Sequence, residues 1–421
     1  MTQASGRLAS VDAFRALTMF LMIFVNDLWS VTGAPEWLDH AGMLEDRLGL
    51  ADTVFPAFLF ILGLSIPFAV KARASKGYSS RSTLIHILTR SLALLVMGVY
   101  HVNLESYNKA EALLPKPWWQ IGITIGFFLI WLDYPRKKYH DDPLSGEAPT
   151  GVKSTTPGWL KGVSKKNILQ GCGILLLALM ALLYKGGSPE HPRWMRLSWY
   201  GILGLIGWCY LLCAVIYLYA KNRWSVLIGA LVFFLGLSIA DKAGWLDFLD
   251  PIRHYAWILS SGALPTLTMA GVLTAVLFRQ AMEKGQGPQS LLIIGVLALV
   301  SLGAGFALRP LGGISKIRAT PSWVLICTAI SMGCFILLAF FMDIKGHKNW
   351  FAFIRPAGTS TLTCYLLPYI HYAIFNFPGL SNRLPLVLRT GGIGIVKSLI
   401  YSLLIILVTG LLEKRKIRLS V

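Results

Sequence analysis

Long uncharged apolar runs constrain this chain more than any other feature. Gly171–Tyr184, Tyr200–Ala220, Ser225–Ala240, Leu291–Leu308 and Trp323–Met342 each reach or approach the length that crosses a hydrocarbon core. Lipid supplies no hydrogen-bond partner to bare backbone, so segments of this kind are helices or closed-barrel strands. The runs lack period-2 alternation and are too long for barrel strands, which leaves helices. Hydrophobic residues make up 55% of the chain and charged residues only 14%, which excludes an ordinary soluble domain of this size. The expected fold is all-α: a polytopic transmembrane bundle.

Length and flanking charge predict about twelve spans. They fall near 10–30, 52–70, 84–101, 117–133, 168–184, 199–220, 224–240, 262–279, 290–308, 321–342, 353–377 and 393–412. No sizeable soluble domain is left over, so residues 1–421 read as one integral membrane domain. Its longest connection, 134–167, is rich in Pro, Gly, Ser, Thr and charge and reads as a flexible loop. The first run contains Asp12, Arg15, Asn26 and Asp27 and lacks a small-x-small cleavage site, so it reads as a retained span rather than a signal peptide.

Lys71, Arg73, Lys76 and Arg81 follow the second span without an opposing acid. Arg136, Lys137, Lys138, Lys153, Lys161, Lys165 and Lys166 follow the fourth, and Lys414, Arg415, Lys416 and Arg418 follow the last. With twelve spans these clusters share one side, which the positive-inside rule makes cytoplasmic, together with both termini. Glu36, Asp39, Glu45 and Asp46 then lie outside. One outer loop breaks the rule, carrying Arg309, Lys316 and Arg318 with no acid.

The net charge of +19 is gathered at the ends of apolar runs, a topology signal rather than a nucleic-acid footprint, and no basic-aromatic module is present. All six cysteines lie inside apolar runs without a CxxC pair, so neither a metal site nor a disulfide framework is expected.

Polar residues in and beside spans are the candidates for chemistry. Asp12 and Arg15, three apart, share a helix face near the inner boundary, as an interfacial ion pair or as a seat for an anionic ligand. Asn26 and Asp27 sit at the outer end of the same span. His40, flanked by Asp39 and followed by Asp52, places an imidazole beside carboxylates, where its proton affinity can be tuned for general-base work. Asp52 alone also suits a helix N-terminus.

The run Arg7–Arg15, then Met22-Ile-Phe-Val-Asn26, Asp39-His-Ala41 and Leu50–Gly63 resembles the heparan-alpha-glucosaminide N-acetyltransferase family and its bacterial relatives, often labelled NagX. Trp119-Gln-Ile-Gly-Ile, Gly262–Gly271, Lys316–Trp323 and Pro356–Tyr365 continue the resemblance in order. It implies a transmembrane acyltransferase that moves an acetyl group from cytoplasmic acetyl-CoA to an amino sugar, or a glycan ending in one, on the far side of the membrane. No metal is implied. The resemblance places the active-site histidine at His40, with Asn26, Asp27 and Asp52 beside it, and points to Arg15, Asp12, Gln120, Lys316, Arg318, Thr359 and Ser360 for donor binding. It further implies the inner membrane of a bacterium and a homodimer. The segment from Asn26 to His40 is longer than in the human enzyme, the span pair around Trp199–Ala240 looks additional, and Pro368 precedes His371 where that enzyme has a histidine. A transporter of amino sugars is the alternative; the scarcity of carboxylates deep inside the spans counts against an ion-coupled carrier.

Overall fold

The computed structural model describes residues 8–134, 164–188, 190–251, 261–377 and 385–420. Among them are thirteen α-helices and a two-residue hairpin, Gly186–Gly187 paired with Pro192–Arg193. The helices are α1 Ala9–Leu28, α2 Leu50–Ser75, α3 Ser80–Asn103, α4 Lys116–Trp131, α5 Lys165–Leu182, α6 Ile202–Ala220 and α7 Trp224–Lys242. They continue with α8 Ala263–Glu283, α9 Gly287–Ala307, α10 Pro321–Ala339, α11 Arg355–Thr359, α12 Thr361–Phe375 and α13 Gly391–Lys414.

Each expected span has a helical counterpart, and ten helical segments among the described residues are long and apolar enough to cross a membrane. Two expected spans depart from that standard. Helix α4 has only 16 residues. The eleventh span breaks at Ser360, whose φ of −123° and ψ of 46° are not helical, giving the short α11 and then α12. The tenth continues from α10 as a π-helical turn, Phe340–Ile344. That turn brings Asp343 to the start of α1, where its Oδ1 accepts the Ala9 N–H at 3.0 Å. Most of the basic loop after α4, including Arg136, Lys137, Lys138, Lys153 and Lys161, lies outside the described residues.

Helix α8 is the most enclosed of the candidate spans, while α5, α7, α9 and α13 carry the outward apolar side chains such as Leu175, Phe233, Leu299 and Leu407. Hydrophobic burial gives little drive between helices in lipid, so close backbone approach matters more. At the α2–α8 crossing a Cβ on Gly63 would overlap the Thr268 carbonyl, and one on Gly271 would overlap the Phe60 carbonyl. Glycine therefore sets this contact. Gly98 does the same between α3 and α6, where a Cβ would overlap the Gly204 backbone.

The chain alternates between two faces. One holds the α1–α2 connection, the α3–α4 loop, the α5–α6 loop and residues 308–320. The other holds the α2–α3 turn, the end of α8 and the C-terminal segment. Two pairs mark the second face: Lys71 Nζ lies 2.6 Å from Glu283 Oε1, and Arg418 Nη2 lies 2.7 Å from Asp133 Oδ2.

Candidate functional site

The site begins in the stretch between α1 and α2. Leu38 and Ala41 are buried and dock it, while Leu50 N–H donates to Trp37 O at 2.7 Å and Ala51 N–H to Leu38 O at 3.3 Å. His40 is thereby held over the first turn of α2, where Asp52 is almost fully buried. Asp52 Oδ2 accepts the N–H groups of Ala41 at 2.9 Å and Gly49 at 3.2 Å. Its Oδ1 lies 2.7 Å from His40 Nδ1. An acid holding two backbone donors is an anionic acceptor, so the Nδ1 hydrogen belongs on histidine and points at Oδ1. The lone pair then resides on Nε2, on a ring whose side chain is 33% exposed. That is the arrangement of an oriented general base.

Several groups fix this pair. Asp39 Oδ1 accepts the His40 N–H at 2.7 Å, and Arg47 donates to Glu36 O at 2.8 Å and to His40 O at 3.2 Å. From α10, Trp323 Nε1–H donates to the Asp52 carbonyl at 3.1 Å. Lys316 Nζ lies 3.3 Å from His40 Nδ1. Burial pulls Lys316 below the ordinary lysine value, against the opposing effect of Asp52. The outer basic loop thus contributes a cation directly to the histidine.

A second clamp ties the two loops together: Asp46 accepts from Arg309 Nε at 2.8 Å and from Ile314 N–H at 2.7 Å. These hydrogen bonds hold the Asp46 carboxyl below its usual value. Arg318 acts on Asp46 as well.

The other candidate residues distribute differently. Asn26 is exposed at the end of α1. Its neighbour Asp27 turns away into a buried cluster, where Oδ2 receives Lys397 Nζ at 2.6 Å and Ser398 Oγ at 2.7 Å, and Oδ1 receives Tyr372 Oη at 3.0 Å. Asp27 therefore joins α1 to α12 and α13, and Asp52 is the acid that meets the imidazole. Gln120 Nε2 donates to Tyr369 O at 2.7 Å inside the bundle. Ser360 is buried at the break between α11 and α12, and its hydroxyl has no hydrogen-bond partner among the described residues.

A cavity of about 1020 Å³ rises from the opposite face between α1, α2, α3, α6 and the α11–α12 break. Lys71, Lys76, Arg90, Arg15 and Asp12 line it, as do Thr359 and Ser65, while Met22, Phe58 and Ile206 line its apolar part. Arg15 is fixed by Ser65 Oγ at 2.5 Å, Asp12 Oδ1 at 3.4 Å and the Gly358 carbonyl at 3.5 Å. Thr359 Oγ1 donates to Glu413 at 2.8 Å. Lining residues run from Leu8 to Met22 along α1, about 21 Å at the helical rise. Phe58 stands six residues from Asp52 on α2, so about 9 Å separate the cavity wall from the His40 pair.

Lys397, Ser65 and Trp323 were not legible as site residues. Lys397 carried a signal all the same: it is a lone cation in the last apolar run, and a charge within a span needs a partner.

Residues 7–145 match the family described as "Domain of unknown function (DUF5009)". The chain is 38% identical over 174 residues to heparan-alpha-glucosaminide N-acetyltransferase of Mus musculus, covering 39% of this chain and 26% of that protein. It is 39% identical over 191 residues to the Homo sapiens protein of the same name, covering 44% of this chain and 27% of that protein. The matches therefore span about a quarter of the length of these curated relatives. The DUF5009 match contains α1 to α4 with Arg15, His40 and Asp52, and over part of its length this multi-pass helical chain is similar to the heparan-alpha-glucosaminide N-acetyltransferases.

Proposed function

We propose that this protein is a transmembrane acetyltransferase that carries an acetyl group from acetyl-CoA to the amine of a glucosamine-type sugar on the opposite face of the membrane. The observation that carries this reading is the pairing of a base-competent His40 on one face with a deep cavity whose mouth on the other is lined by Lys71, Lys76, Arg90 and Arg15. The names of the relatives give the reaction class.

Acetyl-CoA is too charged to cross a bilayer whole, and its pantetheine arm is slim. The cationic mouth suits its phosphates, because Arg and Lys offer charge-assisted donors to phosphate oxygens. The apolar wall at Met22, Phe58 and Ile206 suits the arm. The basic face is then cytoplasmic, in agreement with the positive-inside rule, and the membrane is the inner membrane of a bacterium.

In the transfer step the acceptor nitrogen attacks the thioester carbonyl carbon. His40 Nε2 takes the proton that the nitrogen sheds, and Asp52 stabilises the resulting imidazolium through Nδ1–H. The C–S bond breaks as the amide forms, and the thiolate of CoA leaves and is protonated by the imidazolium. On this reading Asn26, exposed near the end of α1, donates to the developing oxyanion. Lys316 and Arg318 supply positive charge beside the acceptor.

The test is acetyl-CoA turnover by purified protein with glucosamine, comparing wild type with His40→Ala. Acceptor-dependent release of CoA that collapses in the variant supports the reading. Absence of CoA binding and turnover, with flux of amino sugar in proteoliposomes, overturns it in favour of a carrier.

A further inference from the structure

The transfer step leaves a second histidine unused. Among the described residues His101 is the one histidine that is buried, and it lies within α3, a candidate span. An ionisable side chain inside a span is costly and by default points to function. Its Nδ1 lies 3.0 Å from the Met97 carbonyl, which can only accept, so Nδ1 carries the hydrogen. The lone pair of the neutral ring is then on Nε2, and this buried atom has no hydrogen-bond partner among the described residues. A buried acceptor without a donor is a cost that a bound molecule can remove.

Helix periodicity and ring contacts relate this group to the large cavity. Arg90 and Leu94 of α3 line that cavity. His101 follows Leu94 by seven residues, so it lies within about 20° of the same helix face and about 10 Å further toward the outer end of α3. Its ring centroid stands 4.3 Å from that of Tyr369 and 6.3 Å from that of Tyr365, a residue of the cavity wall. The two tyrosine hydroxyls meet at 3.0 Å. One of them donates to the other, which leaves the second hydroxyl hydrogen for a further acceptor. Gln120 Nε2 holds this stretch of α12 through the Tyr369 carbonyl at 2.7 Å. A lone pair and a spare hydroxyl hydrogen thus belong to one aromatic cluster beside the cavity.

We propose that His101 and the Tyr365–Tyr369 pair clip an amide of the donor's pantetheine arm, with His101 Nε2 accepting the amide N–H and a tyrosine hydroxyl donating to the amide carbonyl. The inference rests on the reading of the large cavity as the acetyl-CoA site. Along the arm the wall is apolar at Met22, Phe58 and Ile206. An amide that enters such a wall gives up its water and needs one acceptor and one donor in return. The cluster offers one of each. Held there, the arm has a fixed depth in the bundle while its thioester stays free to reach His40. His101 then touches the donor and takes no part in the proton transfer from the acceptor.

The experiment uses the full-length protein in nanodiscs of neutral lipid, titrated calorimetrically with CoA and, separately, with the phosphorylated ADP half of CoA, which lacks the arm. His101→Asn keeps a donor where Nδ1 meets Met97 and has no acceptor at the Nε2 position. His101→Gln does the reverse. The expected result is CoA binding weakened about tenfold by His101→Asn and by Tyr365→Phe and largely kept by His101→Gln. Binding of the armless nucleotide should be the same in every protein. In turnover His101→Asn should raise KM for acetyl-CoA and leave KM for glucosamine unchanged. CoA binding that survives His101→Asn and fails in His101→Gln would make the histidine a prop of its own helix and overturn the proposal, as would equal losses in the two. A wild-type protein that binds CoA no more tightly than the armless nucleotide would overturn the clip and leave the transferase reading standing. One that binds neither would overturn both.

Discussion

His40 Nδ1 lies 2.7 Å from Asp52 Oδ1, across a twelve-residue gap in sequence that the chain closes by folding its first connection back onto α2. Asp52 has a second duty in the same place, since its other oxygen holds the N–H groups of Ala41 and Gly49. The two residues therefore separate under mutation. His40→Ala is expected to lower kcat by roughly 10²–10⁴-fold with an unchanged melting temperature. Asp52→Ala is expected to lower both, because two buried donors lose their acceptor. Turnover and thermal unfolding of the two variants in the same detergent check this; an unstable His40→Ala protein would contradict it.

Lys316 places a positive charge 3.3 Å from the imidazole. Lys316→Met removes that charge and is expected to lower kcat/KM about tenfold, or about 1.4 kcal/mol of barrier, whereas Lys316→Arg, which keeps the charge, should retain most of the activity. Equal losses in the two variants would make the lysine a support of the loop and not a source of charge at the site.

Asp46 clamps the His40 connection to residues 309–314 through hydrogen bonds that lower its carboxyl. A carboxyl lowered on folding contributes stability that is complete above its unfolded value, near 3.8, and that fades as pH falls through the lowered value. Activity recovered after brief exposure should therefore drop below about pH 4 in wild type. In Asp46→Asn the acid-dependent part should be missing, with the loops already loosened at neutral pH. Hydrogen exchange at residues 40–49 measures the loosening directly.

The Lys397–Asp27 pair is buried and reinforced by Ser398 and Tyr372. Lys397→Met leaves the acid without its cation and is expected to cost roughly 3–5 kcal/mol. The double change Lys397→Met with Asp27→Asn should recover most of it. If the double variant were as unstable as the single one, the pair would not be what joins α1 to α13.

At the α2–α8 crossing, Gly63→Ala forces a methyl group into the Thr268 carbonyl. The expected cost is about 1–3 kcal/mol, seen as a lower melting temperature and a smaller folded yield. Gly77→Ala is a control of another kind. Nothing stands within 4 Å of its Cβ position, and only its φ of +80° is unfavourable, so a smaller loss is expected.

Apolar run length and flanking charge located the helical segments, because the bilayer imposes that length directly on sequence. They overstate α4, placed at 117–133 but only 16 residues long, and miss the break at Ser360, which depends on local dihedrals at a Pro356–Ser360 stretch packed on α1. His40 stood out through its neighbours, and Asp52 was visible both as a helix-start acid and as a possible partner. Which acid meets the ring was not visible, since Asp27 is claimed by Lys397, 370 residues away, and pairings at that distance leave no local pattern. The cavity was invisible for the same reason: its lining comes from several helices and from the C-terminal segment.

Helix α1 carries Arg15 in the wall of the cavity and Asn26 near the end of the span, eleven residues and about 16 Å apart along a rigid rod. On the proposed reading it acts as a calliper between the seat of the donor's phosphates and the place where its acyl group is delivered. Reach would then be gauged by the number of helical turns rather than by any pocket shaped to the acyl group. One residue inserted between Met19 and Met22 lengthens that gauge by about 1.5 Å and swings Asn26 by about 100° around the axis. The two ends would each remain intact and no longer address the same molecule.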